Sequence, residues 1–321
     1  MPARSGKQVG RNGPRHRPLR TLPAIENCQL ITDNLITFSL ALYSQWFYYK
    51  PTRCLFDAGE GVATTLGKKV FAIRHLFISH GHEDHIAGIS NLVNVRNIAP
   101  GDKDKPLTIY YPRHDRWVNE LLTYIQRKQS GLLRYPLYAQ PLDAGDEIEL
   151  EGARRPTRVT AFAMKHIAAE LSLGYEIEEQ RKVIDEANPP SSPLGKGGQR
   201  GVHRYHPVFL YTGDGYGVGH SPYGRADVAV HEATFLGRDA AKADAWETAR
   251  HSTIDGALGW AAREDVKALI LCHISDRYTL DEVLSEAAEV KAKSGFRGEL
   301  YVAYRERIVP VGVISDNRES S

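Results

Sequence analysis

The chain has few cysteines and no long apolar segment. Only three of its 321 residues are cysteine, too few for a disulfide framework, and no Cys-x-x-Cys pair is present to hold a metal. The longest apolar stretch, residues 35–49, is interrupted by polar side chains and is too short to span a bilayer. The N-terminus lacks the apolar core of a secretion signal. We therefore expect a cytoplasmic protein with no membrane partner.

Charge is nearly balanced overall but unevenly distributed. The formal net charge is +2, yet residues 1–20 contain six arginines and lysines and no acid. This segment is predicted to be a flexible basic N-terminal arm over residues 1–24, either a solvated tail or a contact for nucleic acid phosphates. The remainder is predicted to form one domain over residues 25–315, followed by a short tail at 316–321.

The pattern of apolar residues predicts an α/β protein. Two strand-rich halves, each containing helical segments, indicate two β-sheets packed together with helices outside. Between the halves, Asn188–Gly201 is rich in proline, serine and glycine, which is typical of an exposed loop.

The strongest chemical signal is the sequence HGHEDH at residues 80–85, directly after a short apolar strand. Two of its three histidines, His80 and His82, lie at positions i and i+2 and can converge on one ion. Asp84 and His85, around the next turn, can face a second ion. Without a cation, these side chains would repel one another and lose hydration at a cost in free energy. A divalent cation would bind all of them, so the loop predicts a divalent metal site.

Two ions need more ligands than one loop supplies. His166, Asp214 and His273 each follow a predicted apolar strand, at the point where the strand reaches the surface. Strand ends of this kind can meet along one edge of a sheet sandwich. We therefore expect these three side chains to complete the metal site.

Several short motifs, taken together, resemble those of the ribonuclease Z (tRNase Z) family of the metallo-β-lactamase superfamily. The HGHEDH loop with His166, Asp214 and His273 in this order matches the superfamily. The narrower resemblance to the family lies in DAGEG at 57–61, SLGY at 172–175, HEATF at 231–235 and HST at 251–253.

The resemblance implies an αββα sandwich, with two mixed β-sheets flanked by helices, and two zinc ions per chain; manganese and iron are alternatives. It assigns one ion to His80, His82, His166 and Asp214. It assigns the other to Asp84, His85, His273 and the bridging Asp214. It also implies a homodimer.

The same resemblance implies hydrolysis of a phosphodiester, most simply the 3′ trailer of precursor tRNA. Asp84 would hold metal and accept a proton from the attacking water. His251, oriented by Glu232, would protonate the leaving oxygen. We expect Asp57 to orient a metal-binding histidine and His231 to be a supporting or structural residue.

The segment from 176 to 205 is predicted to be a short flexible insertion in place of the family's long substrate-binding arm. Its basic residues, Lys196, Arg200 and Arg204, could contact RNA phosphates. The short arm leaves a second interpretation open, a phosphodiesterase for smaller nucleotides or another RNA. A non-catalytic RNA-binding or scaffold protein is disfavoured by the complete set of metal and acid residues, and a lactam or thioester hydrolase by the His251–Glu232 pair.

Overall fold

The structure is a computed structural model that describes residues 31, 33–101, 104–166, 172–184, 201–215, 225–244 and 250–312. The predicted basic arm and C-terminal tail lie outside these residues, as do Lys196 and Arg200. None of the described helices is long and apolar enough to cross a membrane.

The first sheet has six strands in the order β1-β2-β3-β4-β5-β6. Strands β1 to β3 pair antiparallel, whereas β3 to β6 pair in parallel. Their bounds are Leu35–Leu40, Ser44–Tyr49, Cys54–Phe56, His75–Phe77, Leu107–Pro112 and Leu137–Leu142.

The second sheet has eight strands in the order β14-β13-β12-β11-β10-β9-β8-β7. Strands β10 to β13 are parallel and the flanking strands are antiparallel. In chain order from β7 their bounds are Glu147–Glu149, Thr157–Met164, Ser172–Ile184, Gly201–Tyr211, Val228–Glu232, Ala268–Cys272, Glu299–Tyr304 and Arg307–Pro310.

Strand β12 shows why the two sheets form the middle layers. All five of its residues are buried. Ala268, Ile270 and Cys272 join the core between the sheets, whereas Leu269 and Leu271 join the core beneath the outer helices. A parallel strand that is apolar on both faces requires cover on both faces. The αββα arrangement supplies this cover and confirms the predicted fold class.

Helices cover the outer face of each sheet. Against the first sheet, Val62, Ile89, Val118 and Ile125 contribute to a separate buried cluster. The helices are α1 Val62–Leu66, α2 Glu83–Ile86, α3 Ile89–Ile98, α4 Arg116–Gln129, α5 Ala240–Asp244, α6 Ile254–Arg263 and α7 Leu280–Ser294, with 3-10 turns at Gly67–Ala72 and Gly237–Asp239. Helices α6 and α7 pack on the second sheet.

The predicted flexible insertion at 176–205 is wrong at both ends. Residues 176–184 belong to β9 and residues 201–205 to β10, and these strands pair without interruption from Gly201 opposite Ile184 to Pro207 opposite Glu178. Backbone hydrogen bonds hold this hairpin whatever its side chains are. Glu178, which is buried, also accepts a hydrogen bond from Arg158 Nε at 2.6 Å. Residues 185–200 lie outside the described part.

Candidate metal centre

Five strands of the sandwich end at one edge and deliver polar side chains there. Asp57 follows β3, and the loop with His80 follows β4. From the second sheet, His166 follows β8, Asp214 follows β10 and His273 follows β12. The structure therefore brings together residues that the sequence places up to 216 positions apart. Because parallel strands share their direction, their carboxyl ends place these loops side by side.

One group of side chains is built around His80. One ligand atom from each of His80, His82, His166 and Asp214 lies within 4.8 Å of the others. The His82 Nδ1 atom lies 3.0 Å from His80 Nε2 and 3.3 Å from His166 Nε2. All but His82 are buried. Three imidazole nitrogens and a carboxylate at this spacing can surround a single cation.

A second group lies next to the first and shares Asp214 with it. Asp84, His85 and His273 place one ligand atom each within 4.8 Å of one another. The Asp214 Oδ2 atom lies 3.4 Å from His85 Nε2 and 3.2 Å from His273 Nε2. It also lies 4.0 Å from His166 Nε2 in the first group. Asp214 is therefore placed to bridge two cations.

The unsatisfied polar atoms of this region show that the site fits metal ions. Within the described part of the chain, His85 Nε2 and both carboxylate oxygens of Asp214 are buried and make no well-formed hydrogen bond, although Asp214 Oδ2 lies within 3.4 Å of two imidazole nitrogens. Leaving such atoms unpaired costs about 1–3 kcal/mol each, and more for a charged group. Divalent cations would satisfy all three atoms, and imidazole with carboxylate is a donor set that suits zinc.

Asp57 holds His85 in position. Its carboxylate accepts hydrogen bonds from His85 Nδ1 at 2.7 Å, from the Tyr211 hydroxyl at 2.5 Å and from the Ser79 backbone and hydroxyl at 2.7 and 2.8 Å. With its proton on Nδ1, the His85 ring presents the Nε2 lone pair to the site. The structure thus places Asp57 where the sequence predicts it, behind a candidate ligand rather than beside the metal positions.

Two other candidate ligands are oriented in the same way. His166 Nδ1 donates to the Arg250 carbonyl at 2.8 Å, and His80 Nδ1 lies 2.9 Å from the Ser79 hydroxyl. In each ring this leaves Nε2 directed at the other ligands. Ser79 therefore supports His80 directly and His85 through Asp57.

Two residues at the site have left-handed backbone conformations. Asp57 has φ 54° and His273 has φ 56°, values that non-glycine residues adopt rarely and at an energetic cost. Hydrogen bonds fix both positions. The Asp57 N–H donates to the Phe77 carbonyl at 2.8 Å, and the His273 N–H donates to the Ser39 hydroxyl at 2.7 Å. The fold therefore holds the backbone at these two residues in a conformation that a free loop would avoid.

Beside the two groups, Glu232 and His251 form an ion pair. His251 Nδ1 lies 3.2 Å from each carboxylate oxygen of Glu232. Glu232 also accepts hydrogen bonds from the Gly215 N–H at 2.6 Å and the Thr234 hydroxyl at 2.5 Å. Burial alone lowers the pKa of His251, but the Glu232 carboxylate outweighs burial and raises this pKa to about 9. The His251 imidazole therefore carries a proton at neutral pH.

Comparison with known proteins gives the family. The model of the β-lactamase superfamily domain matches residues 52–184. Ribonuclease Z of Halobacterium salinarum is 32% identical over 286 residues, covering 78% of this chain and 85% of the relative. The chain belongs to the ribonuclease Z family. Ribonuclease Z of Gemmatimonas aurantiaca, 29% identical over 280 residues, covers 77% of this chain and 83% of that relative.

Solved structures agree with the fold of the ribonuclease Z family. Human tRNase Z, short form, has a TM-score of 0.57 at 23% identity, covering 76% of this chain and 93% of that chain. The metallo-β-lactamase fold protein YhfI from Bacillus subtilis also has a TM-score of 0.57, at 17% identity. The match covers 85% of this chain and 98% of YhfI. This member of the ribonuclease Z family is accordingly a metal-dependent hydrolase.

Carboxylates and imidazoles of the second group shift each other's pKa in this ribonuclease Z family member. Burial would raise the pKa of Asp84 and Asp214, but His85 and His273 hold both values below the usual range. The two carboxylates in turn raise the pKa of His85, against the effect of its burial. In the first group, burial lowers the pKa of His82 to about 4. Neutral imidazole at His82 is the form that binds metal.

Thr234 connects the ion pair with the metal ligands, and the sequence analysis gave it no role. Its hydroxyl lies 2.5 Å from Glu232 Oε2, 2.9 Å from His273 Nδ1 and 3.3 Å from His251 Nδ1. The hydroxyl can donate to Glu232 and accept from His273, which leaves His273 Nε2 for a metal. The only sequence signal for this role is the position of Thr234 two residues after Glu232 in the HEATF motif.

Two predicted residues lie away from the clusters. His231 is buried, donates from Nδ1 to the Glu232 carbonyl at 2.7 Å and packs 4.8 Å from the Trp260 ring, so its contacts are structural. Arg204 is exposed on β10, seven residues before Tyr211 at the end of that strand. At about 3.3 Å per residue this is roughly 23 Å from the metal edge. RNA contact at Arg204 stays a prediction.

Proposed function

We propose that this protein is a dinuclear zinc endoribonuclease that removes the 3′ trailer of precursor tRNA. The observation that carries the proposal is the Glu232–His251 ion pair beside two metal-ligand groups, of which Asp214 belongs to the first and lies within 3.4 Å of two histidines of the second. The metal-ligand groups alone would suit many hydrolases of this fold and do not distinguish between them. A buried acid pair is useful where the leaving group is a poor one, such as the alkoxide of a ribose.

The candidate metal ligands divide into two sets. His80, His82 and His166 would hold one ion, with Asp214 shared between the two. Asp84, His85 and His273 would complete the set for the other ion. When bound, the two ions would supply positive charge for the negative charge that develops on the phosphoryl oxygens and would make an attacking water more acidic.

The chain's own residues move the protons. The Asp84 carboxylate, whose Oδ2 lies 3.1 Å from His273 Nε2 at the metal positions, would accept a proton from the attacking water. His251 is protonated and half-buried beside the site, and it can donate its proton to the leaving ribose oxygen. Glu232 then stabilises the ring in the required orientation. Asp84, His251 and Glu232 are the proposed catalytic residues.

The partners follow from the same proposal. Relatives named ribonuclease Z, among them the Halobacterium salinarum protein, support RNA as the substrate. A homodimer remains a prediction from the family resemblance, and a cytoplasmic location remains a prediction from the sequence. A phosphodiesterase for smaller nucleotides is a second candidate, since only 47 residues separate His166 from Asp214.

The test is cleavage of a 3′-extended precursor tRNA by the zinc-loaded protein, with bis(p-nitrophenyl) phosphate as a second substrate. We expect one cut near the trailer junction, absent in Asp84→Ala and retained in Glu83→Gln, which removes an exposed carboxylate from the same loop. Hydrolysis of the small diester with intact tRNA would refute trailer removal and favour the second candidate.

A further inference from the structure

The loop after β5 lies beside the metal-binding loop. Strand β5 is the parallel neighbour of β4, with Phe77 opposite Tyr110. Residues 80–85 follow β4 and residues 113–117 follow β5, so both loops leave the first sheet at the same edge. The sequence from 113 to 117 is RHDRW, which places two arginines, a histidine and a tryptophan within five residues. We call this segment, which includes the first two residues of helix α4, the β5–α4 loop.

Direct contacts fix the β5–α4 loop against the metal-binding loop. A Cβ atom added to Gly81, between His80 and His82, would lie 2.3 Å from Asp115 Oδ1 and 2.9 Å from Trp117 Cβ. Only glycine allows this approach. Asp115 is buried, and its side chain accepts from the Val118 N–H at 3.0 Å and so begins helix α4. Trp117, in the first turn, is therefore held next to a candidate metal-binding segment.

Four of the five side chains of this loop are open to solvent. Trp117 is 48% exposed, although large aromatic residues are usually covered. The Arg116 guanidinium lies 4.4 Å from the centre of the indole. Arg113, His114 and Arg116 are also exposed. An exposed aromatic ring with an arginine against it, in a basic segment, is an arrangement on which proteins stack single-stranded nucleic acid.

The arginines of the loop have partners that are easily exchanged. Arg113 pairs with Asp143 at 2.7 Å and Arg116 with Glu120 at 3.1 Å, and all four side chains are at least 43% exposed. Exposed ion pairs of this kind contribute little to stability. A phosphate group could replace either carboxylate at small cost, and binding would then weaken with added salt.

We propose that the β5–α4 loop binds unpaired nucleotides of the RNA next to the scissile phosphate. Trp117 stacks on a base, and Arg116 contacts a backbone phosphate. The proposal rests on the proposed ribonuclease function for the identity of the ligand. It adds a binding subsite formed by side chains outside the metal groups and outside the Glu232–His251 pair.

The experiment compares Trp117→Ala with Tyr124→Ala. Tyr124 lies on the same helix, is 52% exposed and has Lys128 Nζ 5.5 Å from its ring. It is seven residues further along, about 10 Å from Trp117. Binding of a labelled single-stranded RNA oligonucleotide is measured in an Asp84→Asn background, which prevents cleavage. The catalytically intact forms are assayed for cleavage of 3′-extended precursor tRNA, and their zinc content is measured.

We expect Trp117→Ala to weaken oligonucleotide binding about 10-fold, the effect typical of losing one stacked base. Trp117→Phe should retain most of the affinity, and Tyr124→Ala should match the parent. The zinc content of both alanine variants should equal that of the parent, because neither side chain belongs to the two metal groups.

Equal oligonucleotide affinity in Trp117→Ala and the parent would overturn the proposal. An altered sedimentation coefficient in Trp117→Ala would assign this residue to a contact between subunits and would also overturn it. If the parent binds the oligonucleotide through Trp117 but does not cleave precursor tRNA, the subsite stands and the proposed endoribonuclease function fails. The binding and cleavage assays therefore separate the two claims.

Discussion

Replacing Thr234 with valine removes a single hydroxyl group while keeping the shape of a buried side chain. This hydroxyl contacts Glu232, His273 and His251 at 2.5, 2.9 and 3.3 Å. Without it, the Nδ1 proton of His273 loses its nearest acceptor, and Glu232 Oε2 loses a donor. We therefore expect Thr234→Val to weaken the metal that His273 binds, with a smaller effect on the metal bound by His80.

The size of the effect follows from these contacts. Losing a hydrogen-bond partner of a metal-binding histidine typically reduces metal affinity about 10–100-fold. In free energy this corresponds to about 1.4–2.8 kcal/mol. The geometry of Thr234 favours the upper half of the range, because the same hydroxyl also holds the carboxylate of Glu232.

Zinc is titrated against a competing chelator. When the first and the second zinc ion bind with different affinities, the titration measures the two affinities separately. Thr234→Ser is the matched control, since serine keeps the hydroxyl and removes only a methyl group. We expect near-parental affinity in Thr234→Ser and a weakened second equivalent in Thr234→Val. Equal affinities in Thr234→Val and the parent would refute the hydrogen-bond role, and equal losses in both variants would assign the effect to packing.

Two further predictions concern proton transfer and stability. His251→Ala should reduce cleavage of an RNA phosphodiester about 10²–10⁴-fold but affect bis(p-nitrophenyl) phosphate much less, because the nitrophenolate leaves without an acid; equal losses on both substrates would refute the acid role. Burial lowers the pKa of His75 from 6.5 to about 4, so the folded state binds its proton less readily than the unfolded state. The contribution of neutral His75 to the free energy of unfolding is fully present above pH 6.5. It decreases by about 3 kcal/mol as the pH falls towards 4. The free energy of unfolding is measured in urea for the metal-free protein at pH 7 and pH 4.5. It should fall less in His75→Phe than in the parent, and equal decreases would contradict the assignment to His75.

The arrangement of the site was predictable because its residues lie at strand ends. Each of His166, Asp214 and His273 follows an apolar strand whose pattern is visible in the sequence, and the fold places these strand ends at one edge. The histidine-rich loop at residues 80–85 predicted the other half of the site. The structure brings all of these candidate ligands into two adjacent groups.

Features that depend on partners distant in sequence were not predictable. The outer part of β9 is dominated by charged residues, and its identity as a strand depends on pairing with β10. Strand β6 has an exposed middle and a proline, which oppose a strand assignment from sequence alone. Thr234 gains its role from His273, 39 residues away, and from His251, 17 residues away. No local pattern reveals such contacts.

The central claim is that Asp214 joins two metal-binding groups into one dinuclear centre. Its most direct test is the metal content of the zinc-saturated protein after removal of free metal, measured for the parent and for Asp214→Asn. We predict two divalent ions per chain in the parent and loss of at least one in Asp214→Asn. A single ion in the active parent, or two retained ions in Asp214→Asn, would contradict the account.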